Sequence, residues 1–387
     1  MPTSQSADAA AAGGHGAGRD AGPPARLLRR WDLGPDARFA GPGPDGAAVR
    51  RSRRIDTANG AYLLKEHPAP DRRRILFRHR ITAALDAAGL PVLAPVPART
   101  GRTLVTAAGR GYELFPWAGG RGRDGLELTF AQCEELGGLL GRLHAEMERL
   151  TPPVQQSMLV PAPRAADAAA AVDALLAAVP RGGGTDFAAL TERRLRERRA
   201  LLAEFADHQP PDAEVCTVGH LHGSFHGGNL RYGGSGNVTA VLGWDGLTTG
   251  PVAGEVVRAA ARLFAGEDDR GLDLDRVQAF VRGHRASFPL DAGQIQSAVH
   301  RAWWERLCDV APLRQRYLGE DGAAGSGAPD PAQRPPQERG HAALVTWWSA
   351  HLERTLDAFA APYAPGAGDG PAAEAGADGP GDGHAYG

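Results

Sequence analysis

Several kinds of residue and segment are scarce in this sequence. The 387 residues include only three cysteines, Cys133, Cys216 and Cys308, which lie far apart and form no C-x-x-C pair. An odd, scattered set argues against a disulfide framework and against a thiolate metal site. No apolar run approaches the roughly 20 residues of a membrane span, and the N-terminus lacks the basic start and apolar stretch of a signal peptide. We therefore expect a cytoplasmic protein with no membrane partner.

Lysine is almost absent. Of 43 lysine and arginine residues, Lys65 is the sole lysine, and it follows the apolar, strand-like residues 61–64. A compact ammonium group on a flexible stem can enter a small site that a planar guanidinium cannot. We interpret Lys65 as functional, against the alternative that a single lysine must fall somewhere by chance.

The net charge of −2 conceals an uneven distribution. Residues 1–110 carry 18 basic and 9 acidic side chains, among them the run Arg72–Arg74. Such a basic surface could meet phosphates or an acidic peptide, or it could be the solvated side of a hairpin and a helix. Few aromatic residues interleave with the basic ones and no nucleic-acid-binding motif is present, so we expect no nucleic acid partner.

The pattern of hydrophobic residues predicts an α+β chain. Residues 1–24 and 364–387 have almost no large apolar residues and are predicted to be disordered tails, and 319–339 is predicted to be a flexible loop. Residues 25–116 read as short strands, at about 49–55 and 62–66 around an Asn59–Gly60 turn, with one helix at 71–88. Residues 117–363 read as a helical domain.

The helical domain begins with a well-marked helix. Thr129 and Gln132 are spaced as a capping box, and apolar residues then recur every three or four positions, at Phe130, Cys133, Leu136, Leu140, Leu143 and Met147. Further helices are predicted at 166–179, 186–207, 274–287, 294–316 and 342–360.

The densest cluster of polar residues lies at 220–230, with the sequence HLHGSFHGGNL, and is followed by an apolar strand and Gly243-Trp244-Asp245. Glycines, an asparagine and three histidines between strand-like segments suggest an active-site loop. A zinc site at His220, His222 and His226 is an alternative, since alternate residues of a strand share a face. It lacks an obvious fourth ligand.

These segments resemble, in order, those of the aminoglycoside phosphotransferase, choline kinase and homoserine-kinase-like superfamily. Residues 222–229 look like its H-G-D-x-x-x-x-N catalytic loop, and 241–245 like its I-D-W-D metal-binding segment. Leu64-Lys65 resembles the nucleotide-binding lysine strand, 112–117 the hinge, and 139–144 the first helix of the large lobe. The resemblance covers about residues 28–318.

The resemblance implies a bilobal protein-kinase-like fold, with a small antiparallel-sheet lobe carrying one helix and a larger, mainly helical lobe. It implies that ATP or another nucleotide would be held by Lys65 and by the hinge residues Leu114, Phe115 and Trp117. It also implies that Mg²⁺ would be held by Asn229 and Asp245, and that the catalytic loop comprises His222, Ser224 and His226.

The sequence departs from the family at three places where phosphoryl transfer needs charge. Ser224 stands where the catalytic aspartate should be, and Gly243 stands where the first metal-binding aspartate should be. The predicted helix 71–88 contains no glutamate to pair with Lys65, and Arg78 aligns with that position. We therefore expect Lys65 to lack its acidic partner. Asp245 could replace the missing metal ligand and His226 the missing base, but we favour Asp245 facing solvent and His226 holding the loop.

Two functions follow from the resemblance. The favoured one is a pseudokinase that binds a nucleotide and acts by binding an acidic peptide or a partner protein, with a peptide natural-product pathway as an extension. The alternative is an active ATP-dependent phosphotransferase that uses Asn229, Asp245 and His226 on a hydroxyl of a small molecule.

Overall fold

The computed structural model describes residues 25–42, 51–151, 157–159, 161–179, 186–266, 270–319 and 341–361. The described chain divides into two compact units. The first contains the described residues up to Arg123 together with His222–Thr248, and the second contains the remainder. The predicted tails, and the loop at 319–339 apart from Gly319, lie outside the described residues.

The first unit is built on an antiparallel five-stranded sheet in the order β1-β2-β3-β5-β4. These strands are β1 (Arg38–Pro42), β2 (Ser52–Thr57), β3 (Gly60–His67), β4 (Val105–Ala107) and β5 (Arg110–Pro116). The predicted turn at Asn59–Gly60 is confirmed, because Thr57 pairs with Gly60 across the hairpin. Apolar side chains of the sheet pack with Trp31 and its neighbouring leucines, which form the core of this unit.

Helix α1 (Arg72–Ala87) follows β3, close to the predicted bounds. Asp71 caps its N-terminus by accepting a hydrogen bond from the backbone N–H of Arg74. Just beyond the helix, Gly89 has a φ of +77°, a conformation that glycine adopts at little cost. The same unit contains the short paired strands β9 (Leu230–Tyr232) and β10 (Val238–Val241), which follow the polar segment at 220–230.

The second unit is mainly helical. It also contains the short strands β6 (Ser157–Leu159), β7 (Ala213–Val215), β8 (Val218–Leu221) and β11 (Thr248–Pro251), of which the last begins in the first unit. Its helices are α2 (Phe130–Leu150), α3 (Ala165–Ala178), α4 (Asp186–Glu204), α5 (Val252–Leu263), α6 (Leu274–Ser287), α7 (Ala292–Cys308), α8 (Ala311–Leu318), α9 (His341–Ala350) and α10 (Leu352–Ala360). The α+β fold class is thereby confirmed.

Helix α2 has the capping box that the sequence predicts, with reciprocal hydrogen bonds between Thr129 and Gln132. The predicted packing residues of this helix are buried, from Cys133 to Met147. Phe130 is an exception, because it lies in the first turn and its side chain is 52% exposed. The guanidinium of Arg276 lies 5.4 Å from the centre of its ring.

Two of the predicted helices are interrupted. The segment predicted as one helix at 294–316 forms α7 and α8, and the break falls at Asp309–Val310. Pro312 explains the break, because proline has no N–H and its ring clashes with the carbonyl four residues earlier in a continuous helix. The segment predicted at 342–360 forms α9 and α10, which are separated by His351.

A chain of buried polar side chains joins α2, α5 and α6 within the second unit. His144 lies 2.9 Å from Glu255 through Nε2 and 2.9 Å from Nε2 of His284 through Nδ1. Burial lowers the pKa of His284 well below its ordinary value, and the neighbouring His144 lowers it further. His284 is therefore neutral in the folded protein at neutral pH.

All three cysteines are buried and none forms a disulfide bond. Among the described residues, no helix has both the length and the apolar character that crossing a bilayer would require.

Candidate functional site

Lys65 lies on β3 with its ammonium group against a carboxylate. Its Nζ atom is 2.6 Å from Oδ2 of Asp245, which is 180 positions further along the chain. Helix α1 has no glutamate to pair with Lys65, as predicted, and Asp245 is the acidic partner of the lysine instead. The expectation that Asp245 simply faces solvent is wrong, because both carboxylate oxygens contact cations although the side chain is 52% exposed.

Arg78 supplies the second of these cations from α1. One of its terminal nitrogens donates to Oδ1 of Asp245, and the other donates to Oε2 of Glu113 at 2.5 Å. The Arg78 side chain is only 8% exposed. A planar guanidinium can bind two acceptors at once in this way, which an ammonium group does less well. Arg74 adds a longer hydrogen bond, of 3.3 Å, to the backbone oxygen of Asp245.

Glu113 anchors this network from inside the sheet. It lies on β5 directly opposite Lys65 on β3, and its side chain is fully buried. Besides Arg78, its carboxylate lies 2.9 Å from Nε2 of His67 and 2.5 Å from Nε2 of His79. Glu113 lies in the segment 112–117 that resembles the hinge, and no role was predicted for its side chain. A single carboxylate in an otherwise apolar strand segment was the signal, since a buried charge must be paired.

The two carboxylates are held in their ionised forms. Burial would raise the pKa of Glu113, but its contacts with His67 and His79 and the charges of Arg78 and Lys65 hold it far below its ordinary value. For Asp245, burial would likewise raise the pKa, but the charges of Lys65 and Arg78 outweigh burial and lower it. Both carboxylates of the network are therefore ionised at neutral pH.

The polar loop that resembles a catalytic loop is closed by His222. This side chain is fully buried, with Nε2 at 2.7 Å from the backbone oxygen of Leu242 and Nδ1 accepting a hydrogen bond from the N–H of Ser224. The Nε2 contact thus joins the start of the loop to the residue that follows β10, and the Nδ1 contact holds the backbone of the loop itself. This geometry gives His222 a structural contact at each nitrogen.

Ser224, His226 and Asn229 lie together at the open side of this loop. The amide nitrogen of Asn229 donates to the backbone oxygen of Ser224 at 2.8 Å and lies 3.1 Å from its hydroxyl oxygen. The same nitrogen is 3.2 Å from Nε2 of His226. The Nδ1 atom of His226 accepts a hydrogen bond from the N–H of Gly228, which helps to hold the loop.

Gly243 is confined by its backbone conformation and by Asn229. Its φ of +81° lies in the left-handed region, which residues with a side chain rarely adopt. A Cβ atom at this position would lie 2.2 Å from the amide nitrogen of Asn229. The aspartate that the resembling family carries there would therefore require the Asn229 side chain to move and a backbone conformation that favours glycine.

The residues at the expected metal position fit a divalent cation poorly in this arrangement. Gly243 offers no side-chain ligand, and the carboxylate of Asp245 is engaged by Lys65 and Arg78. Asn229 turns its amide nitrogen towards Ser224. Over the part of the chain that the structure describes, no group of three or more His, Cys, Asp or Glu side chains is placed to hold a metal ion, and this includes the histidines considered for zinc.

The predicted hinge residues form part of the sheet. The backbone oxygen of the buried Leu114 accepts a hydrogen bond from the N–H of Val96 at 2.7 Å, and the N–H of Trp117 donates to Ala61 at 3.0 Å. The ring centre of Phe115 lies 5.8 Å from Nζ of Lys65. The structure thus places Phe115 beside the lysine, while the polar backbone groups of its neighbours have partners within the fold.

Comparison with known proteins identifies one family. A model of the phosphotransferase enzyme family matches residues 41–289, which is more than half of the chain. No curated protein matches the sequence. Among solved structures, an aminoglycoside phosphotransferase from Alicyclobacillus acidocaldarius is 13% identical with a TM-score of 0.55, and 89% of this chain and 97% of that one are covered. A spectinomycin phosphotransferase in complex with ADP and spectinomycin is 14% identical with a TM-score of 0.52, and 82% and 93% are covered. Both share the bilobal fold.

Proposed function

Because the chain belongs to the phosphotransferase enzyme family, we propose that it is a pseudokinase, which binds a nucleotide and engages a peptide or a partner protein while its phosphoryl transfer is impaired. The observation that carries this proposal is the presence of a glycine, Gly243, where the first metal-binding aspartate should be. A metal-binding carboxylate is absent there, and a side chain at this position would need an unfavourable backbone conformation and a shift of the neighbouring Asn229 side chain.

The second support is the lack of a base at position 224. A serine hydroxyl has too high a pKa to accept a proton from an acceptor hydroxyl as a carboxylate does. Loss of a positioned general base typically slows a reaction by about 10²- to 10⁴-fold. Loss of a metal carboxylate removes further charge stabilisation from the transition state. Either change alone would make a typical kinase very slow.

Nucleotide binding is proposed because the cations survive. Lys65 remains on β3, and the rigidly held Arg78 lies on the other side of the same carboxylate. Phosphate groups are bound by lysine and arginine side chains arranged in this way. The neighbouring ring of Phe115 offers an apolar surface beside Lys65.

We expect ATP binding in a magnesium buffer, with loss of at least about tenfold in affinity when Lys65 is replaced by alanine, because one ionic contact to phosphate is worth about 1.5 kcal/mol or more. Calorimetric titration measures this. Arg110→Ala is the matched control, since Arg110 is a basic residue of the same sheet that pairs with Glu66 instead. The control should bind ATP as the wild type does.

A phosphate-release assay on the same samples tests the pseudokinase assignment. We expect no turnover above background with or without small hydroxyl acceptors. Turnover of about 1 per second or faster, typical of enzymes, would contradict the proposal. It would favour the alternative phosphotransferase that uses Asn229, Asp245 and His226.

The proposed peptide or protein partner would bind the exposed side of α1. A pocket there is lined by Asp71, Arg73, Arg74, Leu76, Phe77 and Arg80. Leu76 is 44% exposed and adds an apolar surface beside the arginines. An acidic peptide that also carries an apolar side chain would complement both properties.

A synthetic acidic peptide containing leucine should bind the protein, and Arg73→Glu should weaken binding at least about fivefold, because reversal of a contacting charge adds repulsion to the lost attraction. Fluorescence anisotropy of a labelled peptide measures this. Arg193→Glu is the control, since Arg193 is an exposed arginine of α4 in the other unit. Equal weakening by both variants would indicate non-specific attraction and would remove α1 as the binding surface.

A further inference from the structure

The position of Asp245 has a further implication, which rests on the proposed nucleotide binding. We propose that Lys65 and Arg78 form a phosphate site that works without a metal ion, and that the Asp245 carboxylate occupies this site until a phosphate group displaces it. The geometry points to this assignment because two cations converge on the two oxygens of one anionic group. A terminal phosphate presents the same kind of paired anionic oxygens.

The cationic half of this site is rigid. Arg78 is buried, and its other terminal nitrogen donates a hydrogen bond to Glu113. Glu113 is held in turn by His67 and His79. The guanidinium therefore keeps its position when its other partner changes. Pre-organised donors lose little freedom on binding, which favours capture of an anion.

The anionic half can be displaced. Asp245 lies on the short turn Trp244–Gly246, directly after Gly243. Half of its side chain is exposed, whereas Glu113 is fully buried. Withdrawal of Asp245 from the two cations needs only a change of side-chain conformation towards water, where a carboxylate is well solvated.

Charge explains why a metal ion is not needed. With Asp245 in place, the two cations are balanced by Asp245 and Glu113, and displacement of Asp245 leaves an excess positive charge for a phosphate. A divalent cation at Asp245 would instead lie beside Lys65 and Arg78 and would be repelled by both. Arg78 thus supplies, on α1, the positive charge that a metal supplies in a conventional kinase.

The test is calorimetric titration of ATP in EDTA against the wild type and Asp245→Asn. If Asp245 competes with phosphate, the variant should bind ATP about five- to tenfold more tightly, as expected for removal of one partly screened charge contact. In a parallel titration with magnesium in place of EDTA, Asp245→Asn should again tighten ATP binding, whereas it would weaken binding if Asp245 were a magnesium ligand. The two hypotheses therefore predict opposite signs. Asp245 is half exposed, so the variant should fold, and a thermal melt checks this.

Asp56→Asn is the matched control, because Asp56 is a partly exposed carboxylate of the same unit that pairs with Arg54. It makes the same change in net charge and should leave ATP affinity unchanged. Tripolyphosphate should show the same gain with Asp245→Asn as ATP does, because the gain arises at the phosphates. A gain for ATP alone would overturn the phosphate assignment.

The outcomes separate this inference from the function on which it rests. ATP binding only in the presence of magnesium, or weaker binding by Asp245→Asn, would overturn the metal-free site and leave nucleotide binding intact. Absence of ATP binding by both proteins in both buffers would overturn nucleotide binding as well.

Discussion

Replacement of Glu113 by glutamine is expected to lower the free energy of unfolding by about 3 to 5 kcal/mol, the usual cost of breaking a buried ion pair by removing one partner. Glutamine has nearly the same shape, so the loss would not come from a cavity. It would come from Arg78, which is almost fully buried and would lose the fully buried one of its two charged partners. Urea denaturation followed by tryptophan fluorescence measures the change.

Glu66→Gln is the control for this substitution. Glu66 lies next to Lys65 on β3 and pairs with Arg110, whose side chain is 38% exposed. A partly exposed pair of this kind contributes about 1 kcal/mol or less. Equal effects of the two substitutions would mean that the buried network adds nothing beyond an ordinary ion pair.

The same network is expected to make the stability of the folded protein depend on pH. The pKa of Glu113 is far below its ordinary value of 4.5 in the folded protein, so between these two pKa values the unfolded chain binds more protons than the folded one. Stability from Glu113 is therefore complete above about pH 4.5 and falls as the pH decreases further, by up to about 1.4 kcal/mol per pH unit. Glu113→Gln should show a correspondingly shallower loss of stability in acid. An unchanged acid profile would contradict the role given to Glu113.

Restoration of an aspartate at position 243 is expected to destabilise the protein by about 2 to 4 kcal/mol, although a metal-binding family would require that residue there. Part of the cost, about 1 kcal/mol, arises from a side chain in the left-handed conformation, which aspartate adopts more readily than most residues but less readily than glycine. The rest arises from overlap with Asn229, whose amide nitrogen would lie 2.2 Å from the new Cβ atom. Thermal and urea denaturation of Gly243→Asp measure the sum.

A double-mutant cycle separates the two costs. Gly243→Ala introduces the Cβ atom without a charge, and Asn229→Ala removes the side-chain atoms that this Cβ would meet. In the Asn229→Ala background, Gly243→Ala should cost less by about 1 kcal/mol or more, a difference that the cycle reports as coupling. Strict additivity would show that Asn229 moves aside freely and that the space at position 243 is not limiting.

Local features of the fold were predictable from the sequence. The bounds of α1, the Asn59–Gly60 hairpin and the capping box of α2 each depend on a few neighbouring residues. Pro312 carried a signal that the prediction of a single helix at 294–316 did not use.

The ionic network could not be predicted in the same way. Lys65 and Asp245 are 180 positions apart, and the pairing of Lys65 with Glu113 depends on the register between β3 and β5. Neither hydrophobic periodicity nor a motif of adjacent residues contains this information. The chain of His144, Glu255 and His284 was hidden for the same reason, because its members come from three separate helices.

Arg78 stands on α1 where the resembling family has a glutamate, and this replacement also restricts how the chain can change over evolutionary time. A glutamate at position 78 would meet the carboxylates of Glu113 and Asp245 with Lys65 as the shared cation in place of Arg78, and an aspartate at 243 would need Asn229 to move. Each single step towards a conventional kinase site is therefore unfavourable until others have occurred. A lineage with this arrangement is expected to drift away from phosphoryl transfer more easily than it returns to it.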